Sequence, residues 1–221
     1  MKNYIIVDGE GNTSANSRPY NLGYVIFNEK GEILSKGSYV FPKWFKENQD
    51  SFYFKQNLAD FELHPKNYIF VNKAEDFDLP QLIKKYNARV FLAWNCKTDW
   101  NFFLNIFSID AQIAVAEWFE RPYEISEGFW RNNSIEELQK YNEFCKENDF
   151  LTSTGNLSAK VNHIMKYYKG TDYEEKHEGG SDVLDELYIL KKMENGFLNY
   201  ETWTKNSANY CGRNIMKKLG I

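Results

Sequence analysis

The chain has 221 residues, 43% hydrophobic and 17% aromatic, enough for one core of ordinary size. Its 27 Lys and Arg against 31 Asp and Glu leave a net charge of -4, which argues against a protein that coats nucleic acid by charge alone. The cysteines (Cys96, Cys145 and Cys211) are scattered and form no CxxC pair, which excludes a zinc ribbon or disulfide framework as an expectation. The N-terminal run from Met1 meets the charge of Asp8 before a leader-peptide core could form, and no apolar run approaches membrane-spanning length. A reduced, cytoplasmic protein is expected.

Residues 4–7, Tyr-Ile-Ile-Val, read as a short strand. Because side chains alternate along a strand, Ile6, Asp8 and Glu10 fall on one face if it continues. Residues 21–28 and 33–41 read as an antiparallel hairpin turning at Glu29-Lys30-Gly31-Glu32. Residues 42–67, aromatic and charged without clear period, read as a surface excursion. A helix over 79–86 precedes a buried strand over 89–94. The helix over 95–107 follows, with Asp99, Phe103 and Ile106 on one face. A strand is expected around 113–118. Ser134 and Glu137 form a capping box that opens a helix to about residue 147. An amphipathic helix over 157–168, a Gly- and charge-rich loop over 169–180 and a helix over 181–193 come next. The tail, 198–221, is weakly patterned. With no repeat and no second-domain boundary, residues 1–221 are expected to form one α/β domain. Its mixed sheet would combine antiparallel hairpin strands with parallel strands and be flanked by helices.

Such a fold can gather Asp8, Glu10, Asp99 and Asp182 at one sheet edge, with His177 beside them. Their hard oxygen donors suit magnesium or manganese. Two such ions can stabilise both the attacking and the leaving oxygen of a phosphodiester, while a neutral imidazole takes the proton of a water. Four acids packed without cations repel one another, so divalent ions should stabilise the fold by linkage. Alone, an Asp-x-Glu after a strand is usually a solvated turn and a His-x4-Asp a surface coincidence. Asp185 and Glu186 could replace Asp182 as ligand but read first as the exposed face of its helix. His64 reads as a loop residue and His163 as a helix-face histidine. Trp94, Trp100, Phe102 and Tyr20 could stack on bases but read first as core. Lys160, Lys166, Lys169 and Lys176 lead toward His177, either to meet phosphates or as a solvated face.

Asp8-x-Glu10 on a strand, Asn95-x-x-x-Asp99 after a buried strand, then His177-Glu178-Gly179-Gly180-Ser181-Asp182 resemble the three motifs of the DEDDh 3′–5′ exonucleases. These belong to the proofreading-exonuclease superfamily on the ribonuclease H-like fold. The sister class would need Tyr at position 178, where this chain has Glu178. The resemblance covers residues 4–41, 89–107 and 157–193. It implies stepwise release of nucleoside 5′-monophosphates from the 3′ end of single-stranded DNA or RNA. Asp8, Glu10, Asp99 and Asp182 would hold two divalent ions, Mg or Mn, and His177 would be the general base. Gly9, Gly11, Asn12 and Asn95 would lie beside the terminal nucleotide. No organic cofactor and no membrane partner are implied, and protein partners are left open. The chain departs from the family at Gly11-Asn12-Thr13, where threonines are frequent. It departs again at Thr98, where an aromatic is common, and at Val183, where a small residue is. Two other outcomes compete: a non-catalytic module of the same fold that binds nucleic acid or protein, and an endonuclease.

Overall fold

The computed structural model describes residues 2–12, 17–119, 122–152, 155 and 157–203. Its frame is a six-stranded sheet in the order β4-β3-β2-β1-β5-β6. The strands are β1 (Asn3–Glu10), β2 (Asn21–Phe27), β3 (Ile33–Val40), β4 (Ile69–Phe70), β5 (Ala88–Ala93) and β6 (Pro122–Glu124). β1, β2 and β3 are antiparallel neighbours, whereas β4, β5 and β6 each join in parallel. This is the mixed sheet expected from the hairpin and the later strand–helix alternation.

Alternation along β1 divides the interior in two. Tyr4 and Ile6 enter one core, together with Val25, Phe27, Val90 and Leu92. That core is roofed by α5 (Ile125–Asn132), α6 (Ile135–Glu147), α7 (Val161–Lys169) and α8 (Gly179–Lys192). Ile5 and Val7 enter the other core, beneath α2 (Leu79–Lys85), α3 (Cys96–Asn105) and α4 (Ile109–Trp118). Ser134 accepts a hydrogen bond from the Glu137 N–H, the side-chain half of the expected capping box. Residues 109–118 are helical rather than a strand. Ala111, Ala114 and Ala116 favour helix, and this stretch lacks the polar–apolar alternation of a half-buried strand. The strand of this region is instead the short β6.

Residues 42–67 are not merely a surface excursion. They hold three short 3₁₀ turns (Pro42–Trp44, Lys46–Asn48 and Pro65–Asn67) and α1 (Phe54–Leu63), whose Phe54 and Phe61 close a third core with Tyr20 and Val40. At the other end, Trp203 is fully buried and packs against the glycine of α5, where a Cβ on Gly128 would lie 2.4 Å from its ring. The remainder of the tail, 204–221, lies outside the described residues. Among those described, no helix is long and apolar enough to cross a membrane.

The start of α8 sits on β2 at backbone contact. A Cβ on Gly23 would stand 1.8 Å from the carbonyl oxygen of Gly179, so only glycine fits there. The buried Asn21 fastens the same junction. Its Oδ1 accepts from the Gly179 N–H at 2.8 Å, and its Nδ2 donates to Ser38 Oγ at 2.7 Å and the Tyr39 carbonyl at 2.9 Å. Glu178 caps the helix, accepting from the N–H groups of Gly180 and Ser181 at 2.9 and 3.0 Å and from the Ser38 hydroxyl. Gly23→Ala should therefore force the helix off the sheet and destabilise the fold by about 3 kcal/mol or more, a backbone clash exceeding ordinary overpacking. Chemical denaturation measures this; an unchanged midpoint would contradict the close approach.

Candidate metal and active site

β5 ends at Ala93, and β1 runs past it to Glu10. Asp99, in the first turn of α3, fills that edge: its Oδ1 accepts from the Gly9 N–H at 3.2 Å. Asp8 and Glu10 lie on the end of β1, and Asp182 descends onto them from the first turn of α8. Oxygen atoms of Asp8, Glu10 and Asp182 lie within 4.8 Å of one another. Ligand atoms of Glu175, His177 and Asp182 form a second group of that size. All of these residues line one open cavity of about 520 Å³, along with Asp99, Gly9, Asn95, Trp94, Tyr53, Lys160, His163 and Glu186.

The five residues expected to carry the chemistry therefore meet in space. Asp99 stands apart from the tight Asp8–Glu10–Asp182 group, with one oxygen engaged by the strand backbone. The expected substrate contacts divide. Gly9 and Asn95 line the cavity, whereas Gly11 and Asn12 are not among its lining residues. The Asn12 N–H donates to Asn48 Oδ1 at 2.8 Å and its Nδ2 to the Glu47 carbonyl at 2.6 Å, tying it to the 3₁₀ turn. A Cβ on Gly9 would come within 2.7 Å of the Phe102 ring, so helix packing alone accounts for glycine there.

Glu186, one turn beyond Asp182, is 1% exposed and faces the cavity; it is not part of an exposed helix face. The i, i+4 spacing from Asp182 is the signal that could have found it. Asp185 is buried too, accepting from the Tyr173 hydroxyl and lying 3.5 Å from Lys169 Nζ, so it secures the loop before α8. Glu175 had no motif to mark it. Of the four lysines, Lys160 alone lines the cavity, while Lys169 is turned toward Asp185 and Tyr188. Tyr20 and Phe102 are core, and Trp100 packs on Phe91. Trp94 lines the cavity and donates to the Ala159 carbonyl at 2.8 Å. His64 is an exposed residue near Asp60, and His163 stacks on Phe150.

No protein-family model matches this sequence, and no curated protein matches it. Among solved structures the chain is similar to E. coli exonuclease I in complex with a dA16 oligonucleotide. The TM-score is 0.51 at 10% identity, over 88% of this chain and 42% of that one. Against the same enzyme in complex with a 5cy-dA13 oligonucleotide the TM-score is 0.50 at 10% identity, over 90% and 42%. The likeness is one of fold. It places the mixed sheet and its helices among ribonuclease H-like architectures, and this chain spans less than half the length of the enzyme it matches.

Burial governs the electrostatics. Withdrawal from water, reinforced by neighbouring carboxylates, raises Asp8 to about 7 and Glu10 to about 9. The same causes push Asp99, Asp182 and Glu186 well above the carboxylate range. Desolvation lowers His177 and favours its neutral form. Asp8 Oδ2, Asp182 Oδ1 and Glu186 Oε2 are buried without a hydrogen-bond partner. Buried carboxyl oxygens without partners, converging from separate elements, are a donor set that fits hard divalent cations.

A linkage prediction follows from these shifts. Acids whose folded-state proton affinity is raised bind more protons folded than unfolded. The metal-free fold is therefore most stable at the ordinary carboxylate range and weakens as pH rises through about 7 and 9. Thermal melts in a chelator should fall between about pH 5 and pH 8. Manganese should restore the loss at the higher pH, and Glu186→Gln should raise the chelated midpoint there by removing one repelling acid. A midpoint unmoved by saturating manganese would contradict the site.

Proposed function

We propose that the protein is a metal-dependent 3′–5′ exonuclease that hydrolyses single-stranded DNA or RNA to nucleoside 5′-monophosphates. The observation that carries this reading is the meeting of Asp8, Glu10, Asp99 and Asp182 in one cavity with the imidazole of His177. The fold likeness to an exonuclease crystallised with oligonucleotides supports it. Asp8, Glu10 and Asp182 would hold one divalent ion, and Asp99, directly or through water, would help hold a second. Two bound magnesium or manganese ions supply charge for the attacking and leaving oxygens and lower the pKa of a water.

The chain's own groups carry the remaining steps. His177 is kept neutral by burial and accepts the water's proton on a ring nitrogen. Asp99 fixes the end of β1 through the Gly9 N–H, so the two β1 acids cannot drift from the helix acids. Lys160 stands at the rim, where a backbone phosphate would enter, and the indole of Trp94 offers a face to a base.

The test is a 5′-labelled single-stranded oligonucleotide incubated with manganese. Wild type should give a ladder shortening from the 3′ end. Asp8→Ala should abolish it, and His177→Ala should slow it by roughly 10²- to 10⁴-fold, the usual span for a lost general base. Internal products in one step would instead mark an endonuclease, and no metal-dependent product a binding module.

A further inference from the structure

We infer that the first turn of α1 is a clamp that sets the imidazole of His177, with Tyr53 as its positioning residue. This rests on the nuclease reading of the cavity. The loop before α8 carries His177 with φ +54°, a left-handed backbone that a residue with a side chain adopts at a cost. Such a conformation persists only where neighbours hold it, and here the neighbours come from α1.

Three contacts do so. Asn57, 2% exposed, spends both amide protons on fixed partners. It donates to the His177 carbonyl at 2.7 Å and to the hydroxyl of the fully buried Tyr20 at 2.9 Å. Gln56 Nε2 donates to the preceding carbonyl, that of Lys176, at 3.4 Å. Tyr53, immediately before the helix, lays its ring on the imidazole at 3.8 Å between centroids and 13° between planes. The backbone is thereby pinned by Asn57 and the side chain by Tyr53.

Stacking is the contact that suits a proton acceptor. It occupies one face of the imidazole and leaves the ring nitrogens at the edge, where Nδ1 lies 3.7 Å from a Glu175 oxygen. With one face of the Tyr53 ring covered by His177, that face is unavailable to a nucleotide base. α1 can bear this load because Phe54 and Phe61 root it in a core of its own.

The experiment compares wild type, Tyr53→Leu and Tyr53→Phe in the full chain. Tyr53 is only half-buried, so these variants should fold. In proton NMR, ring current from Tyr53 should shift the His177 ring protons upfield. Tyr53→Leu should move them downfield and Tyr53→Phe should hold them. In the nuclease assay Tyr53→Leu should lower kcat roughly 10- to 100-fold with KM nearly unchanged, the signature of a displaced reacting group, and Tyr53→Phe should recover most of the rate. His177 resonances unmoved by Tyr53→Leu would overturn the clamp whatever the activity. Moved resonances with unchanged kcat, against a His177→Ala variant that is nearly silent, would overturn the positioning role. If no variant cuts nucleic acid, the nuclease reading fails separately, and the resonances alone decide whether the clamp exists.

Discussion

Repulsion among carboxylates withdrawn from water is the constraint around which the rest of this structure is arranged. Asp8, Glu10 and Asp182 lie within 4.8 Å of one another, Asp99 and Glu186 line the same cavity, and burial raises the proton affinity of each. A domain is stable by only roughly 5–15 kcal/mol, so a cluster of buried like charges is a constraint the fold must meet. Ionised side by side they could not be sustained, so protons or cations must neutralise them. The scaffold accordingly invests in holding the elements that bear them: a glycine-to-glycine contact between β2 and α8, the buried amide of Asn21, and the Glu178 cap.

This arrangement also explains how an acidic chain could meet a polyanion. The net charge of -4 would repel nucleic acid in general, but the local field at the cavity belongs to whatever cations the carboxylates hold. The basic series before His177 is largely engaged within the protein. Lys169 is tied to Asp185, Lys166 lies over Phe150, and only Lys160 reaches the cavity among the basic series. Under the proposed nuclease reading, such a surface would grip a short stretch of strand rather than coat it.

The parts of the site legible in the sequence are those whose local physics is one-dimensional. Strand alternation put Asp8 and Glu10 on the face of Ile6, and a buried strand followed by a helix located Asp99. Side chain and backbone spacing at Ser134 and Glu137 opened α6 at the expected residue. What escaped depends on three-dimensional packing. Glu186 looks solvent-facing from composition, and only the descent of α8 onto β1 buries it. The aromatic stretch 42–67 has no period because its residues serve different ends: Phe54 and Phe61 pack, Asn57 bonds, and Tyr53 stacks. Gly9 invited a ligand-based reading, yet the ring of Phe102 is reason enough for it. The stretch 109–118 is ambiguous in sequence because its apolar residues carry no clean period, and its alanines favour the helix that forms.

The most direct measurement is a crystal soaked in manganese and read by anomalous scattering. The account predicts a peak bounded by oxygens of Asp8, Glu10 and Asp182 at about 2.0–2.3 Å, the range of hard-cation coordination. A fully occupied crystal with no manganese among those three carboxylates, and ions bound only at exposed acids, would contradict it.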